Sequence, residues 1–196
     1  MVACERGRSA VNGPLRHLPN FLTALRMASA PALAILLMEG NDRAALGVFA
    51  FAGLSDMADG FLAKRFGSTT RFGRYLDPAA DKILMLVTLV TLSLMGVTPW
   101  WLTALVIARD LAIVSGILAA SLMSLPLRVA PLMIGKISTV VQIFYVGLML
   151  VFLVVGIEAP QWSLWAALVT GATTLISWSA YAGLWLGAYS ARKKSA

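Results

Sequence analysis

Six apolar stretches dominate the chain, near residues 19–39, 43–65, 73–96, 100–123, 131–156 and 160–188. Each reaches the length of about 20 residues that a helix needs to cross a bilayer. All are far too long for membrane β-strands, so the pattern predicts a helical bundle of six spans. The breaks between them have local causes: Glu39-Gly40-Asn41-Asp42, Gly67-Ser68-Thr69-Thr70, Gly96 to Pro99, Ser124 to Pro126, and Glu158 to Pro160. No fixed-period repeat or low-complexity tract is present. The expected organisation is a basic juxtamembrane segment over 1–18, one six-helix domain over 19–188 and a basic tail over 189–196.

Composition agrees with the pattern. The 196 residues are 59% hydrophobic and 13% charged, with a mean hydropathy of +0.82. Soluble domains are about 45–50% apolar and about 25% charged. The expected class is therefore an all-α integral membrane protein. The first 18 residues lack the apolar centre and small-residue cleavage site of a secretory signal. The single cysteine, Cys4, excludes a disulfide framework, and the single histidine, His17, cannot build a histidine metal site alone.

The formal charge of +7 is informative only by position. With the N-terminus inside, the inner loops and ends hold Arg6, Arg8, Arg16, Lys64, Arg65, Arg71, Arg74, Arg128, Arg192, Lys193 and Lys194, and the outer loops hold only Arg43. Arg26, Lys82, Arg109 and Lys136 fall inside spans. This asymmetry predicts both termini in the cytoplasm and argues for a membrane, not nucleic acid, as the partner of the positive charge. Trp100, Trp101 and Trp162 then mark the outer interface, and Trp185 and Tyr189 the inner one. The leader reads either as an amphipathic segment on the inner surface, drawn to anionic lipid, or as a frayed basic tail.

Four of the nine acidic residues lie in DMADGFLAKRFGSTTRFGRYLDPAAD, residues 56 to 81. Asp56 and Asp59 are spaced i, i+3 on the second predicted helix, and Asp77 and Asp81 are spaced i, i+4 on the third. Each pair therefore shares a helical face. Both helices run away from the same short basic turn, so Asp59 and Asp77 come to a similar depth, roughly 6–9 Å below the inner surface at the helical rise. Four carboxylates converging there repel one another unless they are protonated, paired with cations or bound to metal. All-oxygen ligands suit Mg²⁺, Mn²⁺ or Ca²⁺. Gly60 and Ala63 continue the Asp56/Asp59 face, and Gly73 precedes Asp77 by four, which leaves space for a ligand or simply suits tight helix packing. Pro78 either follows Asp77 as a helix cap or kinks a helix begun near Gly73.

Other readings of the acids are a solvated rim, ion pairs with Lys64, Arg65, Arg71 and Arg74, and a proton or ion relay in a transporter. A relay spreads its acids through the membrane depth, whereas these cluster at one level, which favours a metal site.

The stretch resembles the signature of the CDP-alcohol phosphatidyltransferases, D-x2-D-G-x2-A-R-x8-G-x3-D-x3-D. Asp56, Asp59, Gly60, Ala63, Gly73, Asp77 and Asp81 meet it at the required spacings. Lys64 stands where the family has Arg, which keeps a cation but not a bidentate fork. LPNFLTALR, residues 18–26, looks like the family's first-helix entry, and the six-span pattern extends the likeness over most of the chain.

The resemblance implies transfer of a phosphatidyl group from CDP-diacylglycerol to an alcohol, with release of CMP. It implies two Mg²⁺ or Mn²⁺ ions held by Asp56, Asp59, Asp77 and Asp81, with Asp81 also the general base. Asn20, Thr23, Asp56, Gly60, Ala63, Lys64 and Gly73 would hold the CDP part of the donor. By analogy it implies a homodimer. It also implies a bacterial inner membrane, or an equivalent organelle membrane, with the site facing the cytoplasm.

The resemblance implies a phosphate-bearing glycerol or lipid as acceptor, and Arg71, Arg109, Arg128 and Lys136 would be the cations available to hold its phosphate. Arg109 has a second reading, a structural pair with Asp110. The runs ALGVFAFAGLSDMADGFLAK, IARDLAIV and GKISTVVQIF look most like cardiolipin synthases of the CDP-alcohol type, whose acceptor is phosphatidylglycerol. Phosphatidylglycerophosphate synthases, which use glycerol 3-phosphate, come next. Residues 111–123 carry no charge, which suits a lipid acceptor entering sideways better than a small dianion. An aspartate-rich prenyltransferase fits less well, since the chain has one acid cluster and six predicted spans.

Overall fold

The computed structural model of the chain describes residues 18–66, 73–122, 133–157 and 161–195. They form six helices: α1 (Leu18–Met38), α2 (Asp42–Phe66), α3 (Gly73–Leu94), α4 (Trp100–Leu122), α5 (Met133–Val155) and α6 (Gln161–Ser195). No strand occurs among the described residues. The boundaries follow the sequence pattern within about two residues, except that α6 continues to Ser195. Arg192, Lys193 and Lys194 therefore stand on the last turn of that helix, where positive charge complements the helix dipole.

Three helices end by the same local device. After α1, Gly40 has φ +75°, the Asn41 amide donates to the Leu36 carbonyl at 2.8 Å, and the Gly40 amide donates to the Leu37 carbonyl at 3.1 Å. Gly96 closes α3 and Gly156 closes α5 with the same pair of bonds. A residue with a Cβ is strained in this left-handed conformation, so glycine is what lets each helix satisfy its last carbonyls and stop. Asn41 then caps α2, its Oδ1 accepting from the Ala44 amide at 3.4 Å.

The helix α1 packs against α2 and α3, α5 packs against α2, α3 and α6, and α4 packs against α3 and α6. The core is built from Ala30, Leu33 and Leu37 of α1, Ala45 and Ala52 of α2, and Leu84, Leu89 and Leu92 of α3. Leu102 and Val106 of α4, a stripe of α5 from Tyr145 to Phe152, and Ala167 of α6 complete it. Buried hydroxyls are satisfied within the bundle: Thr88 donates to the Leu84 carbonyl at 2.7 Å, and Ser93 and Thr103 share a bond of 2.7 Å between α3 and α4. Close helix contacts rest on small residues. Trp101 of α4 lies on Gly171 of α6, and Trp185 of α6 lies on Gly116 of α4.

Large apolar side chains are exposed on all six helices, among them Ile35, Leu54, Leu86, Leu118, Phe144 and Leu186. Among the described residues, Met133–Val155 is a helix long and apolar enough to cross a membrane by length and composition, and Leu25–Met38 is a shorter apolar helix.

The start of α3 decides between the two readings of Pro78. The helix begins at Gly73, so Asp77 is inside it and is not an N-terminal cap.

Candidate functional site

The acid-bearing segments lie on two helices that flank α1. Asp56, Asp59, Gly60, Ala63 and Lys64 fall on the C-terminal part of α2, and Gly73 and Asp77 on the first turns of α3. The helical spacing of each acid pair is therefore present. The side chains of these seven residues, and of Asn20 and Thr23 on α1, lie outside the described residues, as do Arg71, Arg128 and the leader.

Asp81 is described. Its Oδ1 lies 3.0 Å from Nη1 of Arg26 on α1, in a pair whose arginine side chain is 2% exposed and whose aspartate side chain is 43% exposed. The cation is thus buried in the bundle while the carboxylate is partly exposed. A partly exposed carboxylate is a hard oxygen donor, the ligand type that hard divalent cations take.

Immediately after Asp81, Lys82 turns to the other side of α3. Its Nζ lies 2.6 Å from Oδ2 of Asp110 on α4. The other oxygen of Asp110, Oδ1, accepts from Nη1 of Arg109 at 2.8 Å. One carboxylate therefore serves two cations from two helices. Arg109 is buried and extends the network: its Nη2 donates to Oγ of Ser177 on α6 at 2.8 Å and to the Gly135 carbonyl of α5 at 3.4 Å. Its Nε is buried without a hydrogen-bond partner among the described residues. A Cβ at Gly135 would sit 2.9 Å from the Tyr181 hydroxyl and 3.4 Å from Arg109 Nη2, so glycine is what lets α5 come this close. Further along the α5–α6 contact, Gln142 Nε2 donates to Oγ1 of Thr174 at 3.1 Å.

Of the four acceptor cations read from the sequence, Arg109 is placed in this network and is paired with Asp110, as its structural reading expects. Lys136 follows Gly135 on α5 and is exposed. Sequence reasoning gave no role to Arg26 or Lys82. The signal was available, since a charge inside an apolar helix requires a partner and Arg26 and Lys82 both lie within predicted spans. What was missing was the partner's identity. The ion-pair reading of the acids looked to Lys64, Arg65, Arg71 and Arg74, whereas Asp81 pairs with Arg26.

Comparison with known proteins follows this geometry. The family model described as CDP-alcohol phosphatidyltransferase matches residues 16–173. A probable phosphatidylglycerophosphate synthase of Mycobacterium tuberculosis is 35% identical over 151 residues, covering 74% of this chain and 70% of that protein. The cardiolipin synthase (CMP-forming) of Homo sapiens is 34% identical over 146 residues, covering 66% of this chain and 48% of that protein. A putative cardiolipin synthase of Mycobacterium bovis is 34% identical over 172 residues, covering 85% of this chain and 77% of that protein.

Proposed function

We propose, from the premise that this chain belongs to the CDP-alcohol phosphatidyltransferase family, that it transfers the phosphatidyl group of CDP-diacylglycerol to phosphatidylglycerol, forming cardiolipin and releasing CMP. Membership makes the chain a phosphotransferase and sets aside the transporter reading of its acids. The acceptor is the finer part of the proposal, because relatives of both acceptor types match at similar identity.

The observation that carries the acceptor choice is the sharing of Asp110 between Lys82 and Arg109. Lys82 and Arg109 supply two positive charges against the one negative charge of the Asp110 carboxylate that they share. The surplus of one suits a phosphodiester, which carries one negative charge, better than a phosphomonoester with nearly two. Beyond Asp110, Leu111, Val114 and Leu118 form an exposed apolar run on α4 along which an acyl chain can lie. The second reading, glycerol 3-phosphate as acceptor, is supported by the similarity to the mycobacterial phosphatidylglycerophosphate synthase.

In this proposal Asp56, Asp59, Asp77 and Asp81 hold two divalent ions, Mg²⁺ or Mn²⁺, which when bound neutralise the donor's diphosphate and the departing CMP. Asn20, Thr23, Gly60, Ala63, Lys64 and Gly73 receive the cytidine diphosphate. Asp81 takes the proton of the acceptor hydroxyl as its oxygen attacks the phosphorus of the phosphatidyl group. Arg109 and Lys136, with Arg71 and Arg128 at the mouth, hold the acceptor's phosphate. The exposed apolar side chains on all six helices face lipid, the helices span the membrane, and both termini and the acids lie on the cytoplasmic side, as the eleven inner cations favour. The working unit is a homodimer by family analogy.

The test is CMP release from CDP-diacylglycerol by the purified full chain with Mg²⁺ or Mn²⁺ and with excess chelator. Release that needs both the metal and an alcohol acceptor is the expected result. No release with any acceptor offered sinks the proposal.

A further inference from the structure

We infer that Arg26 is a positioning residue for the Asp81 carboxylate, holding one of its oxygens so that the group faces the reaction space in a single orientation. The inference rests on the proposed reading of Asp81 as base and metal ligand.

The argument begins with the α1 face on which Arg26 stands. Arg26, Ala30, Leu33 and Leu37 are spaced i, i+4, i+7 and i+11, and all four are buried. This is the packing stripe of α1, and Arg26 occupies its end toward the start of the helix. On α3, Asp81, Leu84 and Thr88 are spaced i, i+3 and i+7, and Leu84 and Thr88 are buried. The two helices pack together, and the Arg26–Asp81 pair joins their faces. A guanidinium embedded in such a stripe has its rotamers restricted by its neighbours, so its nitrogens are fixed points.

The exposure of the two partners is unequal. The arginine side chain is 2% exposed and the aspartate 43%. If the pair served only to neutralise a charge inside the bundle, both partners would be expected inside. Here the anchor is buried and the anchored group remains open, which is how a functional group is held without being hidden. Arg26 itself has no open surface with which to meet a substrate, so it acts through Asp81.

The next residue supplies a second restraint. Lys82 reaches Asp110 on α4 while Asp81 reaches Arg26 on α1. Rotating α3 about its axis would relax one pair only by breaking the other. The backbone of Asp81 is therefore held between two helices, and the ion pair with Arg26 restrains the direction of its side chain. A carboxylate that must both ligate a cation and meet a hydroxyl gains from such restraint, because small misplacements of a reacting group lower rates strongly.

The experiment uses Arg26→Lys in the purified full chain, a variant that keeps the buried positive charge and loses the planar fork. The readouts are Mn²⁺ affinity by electron paramagnetic resonance, kcat for CMP release, KM for CDP-diacylglycerol and the thermal midpoint. Positioning predicts Mn²⁺ binding weakened about tenfold and kcat lowered about tenfold or more, with KM and midpoint unchanged, the range expected when the support of a metal ligand is lost. Arg26→Met, read the same way, should lose more of both. Mn²⁺ affinity and kcat of Arg26→Lys within threefold of the parent would overturn the inference, because charge alone would then suffice. A fall in kcat that follows the thermal midpoint, with Mn²⁺ affinity intact, would also overturn it. If the parent chain neither binds Mn²⁺ nor releases CMP, the proposed function fails first and this inference with it.

Discussion

Lys82 Nζ and Asp110 Oδ2 meet at 2.6 Å and tie α3 to α4 one residue beyond the proposed base. The same carboxylate holds Arg109 through its other oxygen. Asp110 is thus one polar point at which the acid-bearing helices meet α4, beside the packing of α5 on α2 and α3.

Removing the charge of Asp110 should therefore cost more than removing that of Lys82. Asp110→Asn leaves the buried Arg109 without its carboxylate, a loss on the order of 2 kcal/mol. Lys82 is about half exposed, its side chain being 47% accessible, so Lys82→Met should cost under about 1 kcal/mol. Thermal or denaturant unfolding in detergent checks the order. Equal costs would mean that Asp110 is not the shared partner.

Gly135 should reject even a methyl group. Gly135→Ala places a Cβ against the Tyr181 hydroxyl and Arg109 Nη2 and should destabilise by roughly 1–3 kcal/mol. Removing the hydroxyl with Tyr181→Phe in the same chain should recover part of that loss, although the Tyr181 ring carbon at 3.2 Å remains close. The unfolding midpoints of the two single variants and the double variant measure the coupling.

Asp81→Asn should abolish turnover while CDP-diacylglycerol still binds. The amide keeps the shape, offers Arg26 a weaker acceptor and cannot take a proton from the acceptor. A loss of about 10³-fold or more in kcat is the expected scale for a general base that also supports a metal. Binding of the donor, measured directly with the variant, should stay within about threefold. Retained turnover removes Asp81 from the base role.

Acceptor preference separates the two transferase readings. With CDP-diacylglycerol and metal fixed, phosphatidylglycerol should give more CMP than glycerol 3-phosphate, and the lipid product should be cardiolipin. Raising ionic strength should weaken a glycerol 3-phosphate reaction more than a phosphatidylglycerol one, since the dianion depends more on exposed cations such as Lys136. The reverse preference would reassign the chain to the phosphatidylglycerophosphate synthases.

The sequence by itself determined what depends on near neighbours along the chain. Apolar run lengths predicted six membrane spans; six helices are present among the described residues, and of these Met133–Val155 is long and apolar enough to cross a membrane. Gly40 and Gly96 marked helix ends because the left-handed turn that stops a helix is a property of one residue and its flanks. The spacings of Asp56 with Asp59 and of Asp77 with Asp81 placed each pair on one face as soon as the helices existed. The family could be recognised because its signature lies within one short stretch. Tertiary structure alone decided which charge meets which. Arg26 and Asp81, Lys82 and Asp110, and Arg109 and Ser177 lie on different helices. Arg109 and Ser177 are 68 positions apart in the chain. Sequence demanded a partner for each charge inside an apolar helix, but several acids and cations were available to supply one. The choice among them follows from which helices pack together and at what rotation, and that is set by the summed fit of many side chains such as Ala30, Leu33, Ala80 and Gly135 rather than by any local rule.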